Sequence, residues 1–396
     1  MKVRSLVLLA VTSAVLLAAG RADPARRPRY GGRLLVEIGT VVSSFEPSVS
    51  PASAEEAAAK EEICALIEEP HKPEGACAGT VGSGAFRIAE WDPGKHLTLE
   101  ANPSYRGGRA FVDSVEIQMG RASRDRLLDL EVGKADVVEI APEEARRASQ
   151  QGVRVTISQP DELVAVAFVP HHMISELENM REALSRSIDR TAIVNFILQK
   201  EGEPAGGLLP QWSSSTAFLF STAVDLAAAK KLWAQISGFH PSAPAAGVAG
   251  TAVSPKIVLG YDASDSLEQS IAERIAVDAR EAGGSLTAVA VTRGSPGSED
   301  ARIVRLRMAS PNPSEALARF MEVLGPMTGA NADPPRAQAT PQQIYDTERA
   351  IVSGYRVVPL AWFPTVYGLS MRVRDWKTPG PGETWPLADL WLGDAQ

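Results

Sequence analysis

Two cysteines, a pair of adjacent histidines and a scatter of acids are the residues whose types invite chemistry. Cys64 and Cys77 are the only cysteines in the chain. In an oxidising compartment they would pair and close a short loop, a bond worth about 3 kcal/mol; free thiols are the alternative. They fall short as metal ligands, because only His71 lies between them and a tetrahedral set needs more. His171-His172 invites a metal reading too, but no neighbouring carboxylate or Cys completes a site, and solvated loop histidines are the expectation. No G-x-S-x-G, H-E-x-x-H, P-loop or Cys-x-x-Cys pattern occurs. Acidic residues fall across helix faces, where solvation is the ordinary explanation. The chain is expected to carry no catalytic residue, no metal and no cofactor, although a triad assembled in space leaves no linear signature.

The N-terminus speaks about compartment. Lys2 and Arg4 precede an apolar run from Leu6 to Ala19, and Gly20 and Ala22 are small. This is the pattern of a secretory signal peptide cut after Ala22, with an uncleaved anchor as the alternative. The run is short for a membrane span, and Arg21 occupies the position a lipidated Cys would take in a lipoprotein box. Loss of residues 1–22 removes three basic residues and no acidic one, moving the formal charge from −8 to −11. An acidic, evenly patterned chain argues against nucleic acid and against anionic lipid as partners. Its 396 residues allow two or more lobes with cores of their own.

The elements that must position any site follow from spacing. Residues 82–142 read as strand, turn, strand, loop, strand, helix, strand. Phe86 and Ile88 lead past Trp91 into the turn Asp92-Pro93-Gly94 and on to Leu97 and Leu99. Asn102-Pro103 and Gly107-Gly108 break the chain before an alternating strand over 112–117. Ser123 is expected to cap a helix with Leu127, Leu128 and Leu130 as its apolar positions; Gly133 ends it, and 136–140 return as a strand. Such a βαβ unit belongs to an α/β domain with a partly parallel sheet. Further elements are a buried strand over 33–38, an Ala/Glu-rich helix over 52–66 and a buried strand over 162–168. An amphipathic helix over 180–194 carries Met180, Leu184, Ile188 and Ile197 near helical spacing. Asp225 caps a helix with Trp233 inward and Gly238 at its end, and 239–255 form a surface linker. A second βαβ unit covers 256–291, with a strand over 302–308 after it. Pro313 opens a helix with Leu317, Phe320, Met321 and Leu324 on one face, and Thr340 and Gln343 form a capping box for the next. Trp376, Trp385 and Trp391 read as cover for a core, with ligand stacking as the alternative.

Four of these segments also come in a specific order. Gly82-Ser83-Gly84-Ala85-Phe86, Glu90-Trp91-Asp92-Pro93-Gly94, Asn102-Pro103-Ser104-Tyr105-Arg106-Gly107-Gly108 and Gly133-Lys134-Ala135-Asp136 resemble successive motifs of one family. It is family 5 of the bacterial extracellular solute-binding proteins, the oligopeptide, dipeptide and nickel binders of ABC importers. Arg106 stands where that family usually has Trp, and Ala85 where it has Pro. Residues 181–190 resemble the family's helix wording, and Leu208-Leu209-Pro210, 357–363 and Tyr30-Gly31-Gly32 match further segments. The resemblance implies a two-lobed α/β periplasmic binding protein, type II and cluster C-like, with mixed sheets. Lobe I would comprise 23–165, lobe II 166–354, and 355–396 would return to lobe I, with hinges near Phe168 and Tyr355.

The departures matter for function. Only 34 residues separate Pro47 from Gly82, where full-length relatives carry a far longer segment. The accessory subdomain is therefore expected to be largely missing, and with it part of the pocket wall. Peptide-binding relatives hold the free amino group with an Asp where this chain has Ala309, so ordinary peptides lose their charge partner. By position in the family, Ser310, Asn312 and Trp362 are the expected ligand-binding residues. The resemblance implies a monomer that captures a peptide or other small solute in the periplasm and delivers it to an ABC permease. The alternative is a degenerate relative serving as a periplasmic sensor or interaction protein.

Overall fold

In this computed structural model, the described residues are 27–46, 48–49, 54–68, 82–170, 172, 176–237, 255–292, 298–330 and 332–394. The proposed signal peptide, Cys77, His71, His171, Gly238 and nearly all of the 239–255 linker lie outside them. The first half of the chain contributes β1 (Arg33–Glu37), α1 (Ala54–Ile67), β2 (Phe86–Asp92), β3 (His96–Ala101), β4 (Ser114–Gln118), α2 (Ser123–Glu131), β5 (Val137–Ile140), α3 (Ala145–Gln150) and β6 (Arg154–Phe168). The second half opens with α4 (Glu178–Ser187), the two-residue β7 (Glu203–Pro204), α5 (Leu226–Ser237) and β8 (Ile257–Asp262). It continues through α6 (Ser266–Glu281), β9 (Leu286–Val291), β10 (Ala301–Arg307), α7 (Pro313–Thr328) and α8 (Pro341–Val352). It closes with β11 (Val357–Leu369), β12 (Val373–Arg374) and β13 (Trp391–Leu392).

One mixed sheet of 11 strands runs in the order β2-β3-β4-β1-β5-β11-β6-β10-β8-β9, with β7 pairing β11. β1 is parallel to β4 and β5, and β8 is parallel to β9 and β10. Between these parallel groups stand antiparallel neighbours, with β6 beside both β10 and β11. β6 and β11 are the long strands of the fold, and β11 is buried along its whole length, as a strand covered on both faces must be. Side chains gather in separate clusters along the sheet. Leu34, Ile38, Phe86, Leu97, Ile117 and Trp385 share one, while Phe168, Leu184, Trp233, Ile271 and Phe363 share another. A third packs Leu163, Leu306, Phe320 and Trp362 beneath α7 and α8.

β6 and β11 therefore belong to more than one core, and both carry prolines where they pass between them. Pro364 faces Pro160, and the β11–β6 register slips on both sides of Pro364 and again after Pro359. Proline gives no N–H to the ladder, so a central strand that keeps one must bulge. Asp161 repairs the gap, accepting from the Thr365 backbone N at 3.0 Å and its Oγ1 at 3.1 Å.

The family motifs turn out to be joints between elements. A Cβ on Gly84 would lie 2.5 Å from the Ile67 carbonyl carbon, so glycine lets the β2 entry close on the end of α1. Gly84 N donates to Ile67 O, and the buried Asn102 returns Nδ2 to Gly84 O at 2.8 Å. Asp136 accepts from Leu35 N at 3.1 Å and Ser370 Oγ at 2.8 Å, joining β1 to the end of β11. Cys64 is buried and disulfide-bonded.

Several local expectations need correction. Ser123 is not the cap of α2; Ala122 holds that position, and Ser123 Oγ donates to Glu144 Oε2 at 2.6 Å across the turn after β5. Leu128 is 53% exposed, because only Leu127 and Leu130, three apart, share the inner face. The helix expected over 180–194 breaks after Ser187. Asp189 accepts from Ala192 N at 2.9 Å to start a new turn that widens into a π-helix over Ile193–Ile197. The break brings Arg190 inward, where Nε donates to Pro359 O at 2.7 Å and Nη1 to Ser185 O at 3.2 Å. Trp385 and Trp391 are core residues, and Trp376 packs on Tyr367 with ring centroids 5.2 Å apart.

Candidate functional site

Where the crossing strands meet α1 and α7, the described residues enclose a cavity of about 280 Å³. Ala57, Ala58, Glu61, Glu62 and Ala65 line it from α1, a single helical face on which the alanines leave room and the glutamates bring charge. Arg307 and Met308 come from the end of β10, Asp161 from β6 and Tyr367 from β11; Phe320 and Val323 come from α7. The 379–384 strap completes the wall. Its Gly382, at φ +73°, packs so closely that a Cβ would lie 2.4 Å from Ala309 O. From the short segment between Pro47 and Gly82, the helix α1 forms one side of this cavity.

The electrostatics centre on one guanidinium. Arg307 Nη1 stands 3.6 Å from Glu62 Oε1, and Nη2 stands 3.5 Å from Glu139 Oε1. Burial works against the Arg307 charge, but the carboxylates of Glu139, Glu162 and Asp161 outweigh it and keep the group protonated. Burial pushes Glu62 up to about 8, opposed by Arg307 and reinforced by Glu139. Burial also raises Asp161 to about 6, again against Arg307. Glu62 Oε2 is buried and has no hydrogen-bond partner among the described residues. Toward the rim, Arg319 pairs with Glu61 at 3.8 Å and with Glu322 at 3.0 Å. Beside this network Arg305 is held separately, by Glu162 at 2.6 Å and Asp265 at 2.5 Å. A second depression, of about 410 Å³, is bordered by Arg146, Arg147, Gln150 and Phe196, all of them exposed. Glu143 borders it too, with a buried Oε2 that has no hydrogen-bond partner among the described residues, but most of its rim is exposed and it lacks the cluster of carboxylates around a buried guanidinium found at Arg307. We take the cavity at the crossing strands as the site.

The residues expected from sequence sit around this cavity rather than on its surface. Asn312 caps α7, its Oδ1 accepting from Ser314 N at 2.9 Å. Ser310 Oγ donates to Glu315 Oε2 at 2.7 Å and accepts from Asn312 N at 3.1 Å. Trp362 is 1% exposed and stands behind Phe320, ring centroids 6.1 Å apart. Ala309 does line the cavity. Sequence reasoning missed Glu62, Asp161, Arg307 and Glu139. Arg307 was the one with a signal, since Arg305 and Arg307 stand two apart, on one face of a strand whose other residues, Arg302 aside, are apolar. Glu62 looked like any solvated helix glutamate, and Asp161 stands just ahead of the strand expected over 162–168. His172 Nδ1 lies 3.7 Å from Asp300 Oδ1, and no group of three or more His, Cys, Asp or Glu among the described residues is placed to hold a metal.

The model of the family described as bacterial extracellular solute-binding proteins, family 5 middle, matches residues 42–338. The chain belongs to that family. Among curated proteins, the chain is 28% identical over 163 residues to the probable D,D-dipeptide-binding periplasmic protein DdpA of Escherichia coli K12. That match covers 40% of this chain and 31% of DdpA, so it spans less than a third of the relative. Solved structures share the fold at low identity. The periplasmic binding protein DppA of Helicobacter pylori, in complex with the peptide STSA, gives a TM-score of 0.70 at 12% identity, over 93% of this chain and 99% of that one. The oligopeptide-binding protein AppA of Bacillus subtilis, in complex with a nonapeptide, gives 0.69 at 12% identity, over 93% of this chain and 100% of that one. The fold is thus the two-lobed α/β architecture of family 5 binding proteins. These relatives are binding proteins rather than enzymes, and among the described residues no helix is long and apolar enough to cross a membrane.

Proposed function

We propose that this protein is the periplasmic substrate-binding component of an ABC importer, exported by residues 1–22, which are then removed. It captures a small solute in the cavity at the crossing strands and delivers it to a permease. Residues 23–165 with 355–396 would form one lobe and 166–354 the other, β6 and β11 carrying the hinge between them. The observation that carries this reading is the cavity itself. It has an apolar wall, a few convergent charged groups, and walls drawn from elements on both sides of the long strands, which is where a two-lobed protein closes on a solute. Ser310 and Asn312 would set the first turn of α7, and Trp362 would hold Phe320 against the solute.

The test is a thermal-shift series on the purified protein with dipeptides, oligopeptides, N-blocked peptides and Ni²⁺ chelates. A solute present at about a hundred times its Kd stabilises the folded state by about 2.7 kcal/mol. A cooperative melt that no class of solute moves would replace this reading with that of a sensor or interaction protein.

A further inference from the structure

Resting on the solute-capture reading, a count of charges at the cavity says which solute it awaits. Glu62, Glu139 and Asp161 surround Arg307, and of the three only Glu139 also feels a second buried guanidinium, that of Arg126. At the rim Glu61 and Glu322 share Arg319, and Glu383, which accepts from Gly380 N, adds a third carboxylate to the lining. The site is short of positive charge at both depths. Neither carboxylate beside Arg307 comes within ordinary hydrogen-bond distance of it, the two standing at 3.5 and 3.6 Å. Glu62 Oε2 has no partner at all among the described residues. Leaving a carboxyl oxygen buried and unpaired is costly, and the cavity it borders is where a donor would enter. A ligand carboxylate would meet the opposite situation, because Arg307 is already surrounded by acids.

We propose that the cavity receives a compact solute bearing a primary ammonium or guanidinium group, that Glu62 accepts that group, and that a free carboxylate on the solute is disfavoured. The alanines of α1 with Met308, Phe320 and Val323 offer the apolar body of such a solute its contacts. At about 280 Å³ the cavity lies near the small end of ligand pockets, which span about 300–1,000 Å³, so the solute is no larger than a dipeptide. The acid that would read the charge comes from α1, not from the position of Ala309. Docking of a cation at Glu62 also draws a proton off its carboxyl, helped by Arg307 on β10 and opposed by Glu139 on β5 and Asp161 on β6, with Tyr367 on β11 facing the same group.

The experiment is calorimetric titration of the full chain with glycyl-leucinamide, glycyl-leucine and N-acetyl-glycyl-leucine, which keep size and differ in charge. Agmatine serves as a second cation, and each titration is run in two buffers of different ionisation enthalpy at pH 7. The expected order is cation over zwitterion by about tenfold or more, with no binding of the anion. Cation binding should release protons to the buffer, and Glu62→Gln should weaken it by about tenfold or more. The proton count in the unaltered protein keeps the test valid even if that variant does not fold. Zwitterion or anion binding as tightly as the cation, or cation binding without proton release, overturns the proposal while leaving solute capture standing. Absence of binding by these probes and by every solute class of the thermal-shift series overturns both.

Discussion

Replacing Glu348 by glutamine should raise stability at pH 8 relative to the parent protein by about 3 kcal/mol more than it does at pH 4. Glu348 is fully buried on α8. Its Oε1 accepts from the backbone N–H groups of Leu208 and Leu209, the latter at 2.9 Å, while Oε2 has no partner among the described residues. Burial raises its pKa from 4.5 to about 7, opposed only by those two backbone donors, with no charged neighbour contributing. Below 4.5 both the folded and unfolded chains hold the proton, and the group is silent. Between 4.5 and 7 the unfolded chain has lost it and the folded chain keeps it, so stability falls as pH rises and levels off above 7. At about 1.4 kcal/mol per pH unit the full penalty is roughly 3 kcal/mol. Glutamine keeps the acceptor for Leu208 and Leu209 and cannot ionise, so the penalty disappears with the titration. Urea unfolding followed by tryptophan fluorescence at pH 4, 6 and 8 measures the difference. Parallel pH curves for the parent and Glu348→Gln would refute the reasoning, whatever their offset.

Three further outcomes follow from the geometry. Asn312→Ala removes the cap of α7 and should cost about 1 kcal/mol in urea unfolding, with Asn312→Asp close to the parent. Gly84→Ala forces a Cβ against the Ile67 backbone and should cost about 1–3 kcal/mol; because α1 forms a cavity wall, solute-induced thermal shifts should shrink with it. Trp362→Ala should cost about 3–5 kcal/mol and release Phe320, seen as a lower melting temperature and loss of solute binding by calorimetry.

Several parts of this protein were written locally in the chain. The hairpin turn Asp92-Pro93-Gly94, the cap at Asp225, the Thr340–Gln343 capping box and both βαβ units follow from turn chemistry and hydrophobic period, which need only neighbouring residues. The family motifs were legible for the same reason, and each proves to be a joint: Gly84 against Ile67, Asn102 onto Gly84, Asp136 between β1 and the end of β11. Such joints specify the architecture without specifying the solute. Local reading went astray where a distant partner outbid a nearby one. Ser123 left its helix for Glu144, and the helix through 188 broke so that Arg190 reached Pro359.

The site was decided by tertiary structure alone. Glu62, Glu139, Asp161 and Arg307 come from a helix and three strands spread between residues 62 and 307 of the chain, and apart from Arg307 none of them stands out from its neighbours in the sequence. Sheet order places β5 beside β11, β11 beside β6 and β6 beside β10, and α1 then lies across them. Only that arrangement gathers the four side chains and takes most of their surface out of water. Exclusion of water is what turns scattered charges into a site, because it raises the cost of an unmatched carboxyl and makes the missing cation worth binding.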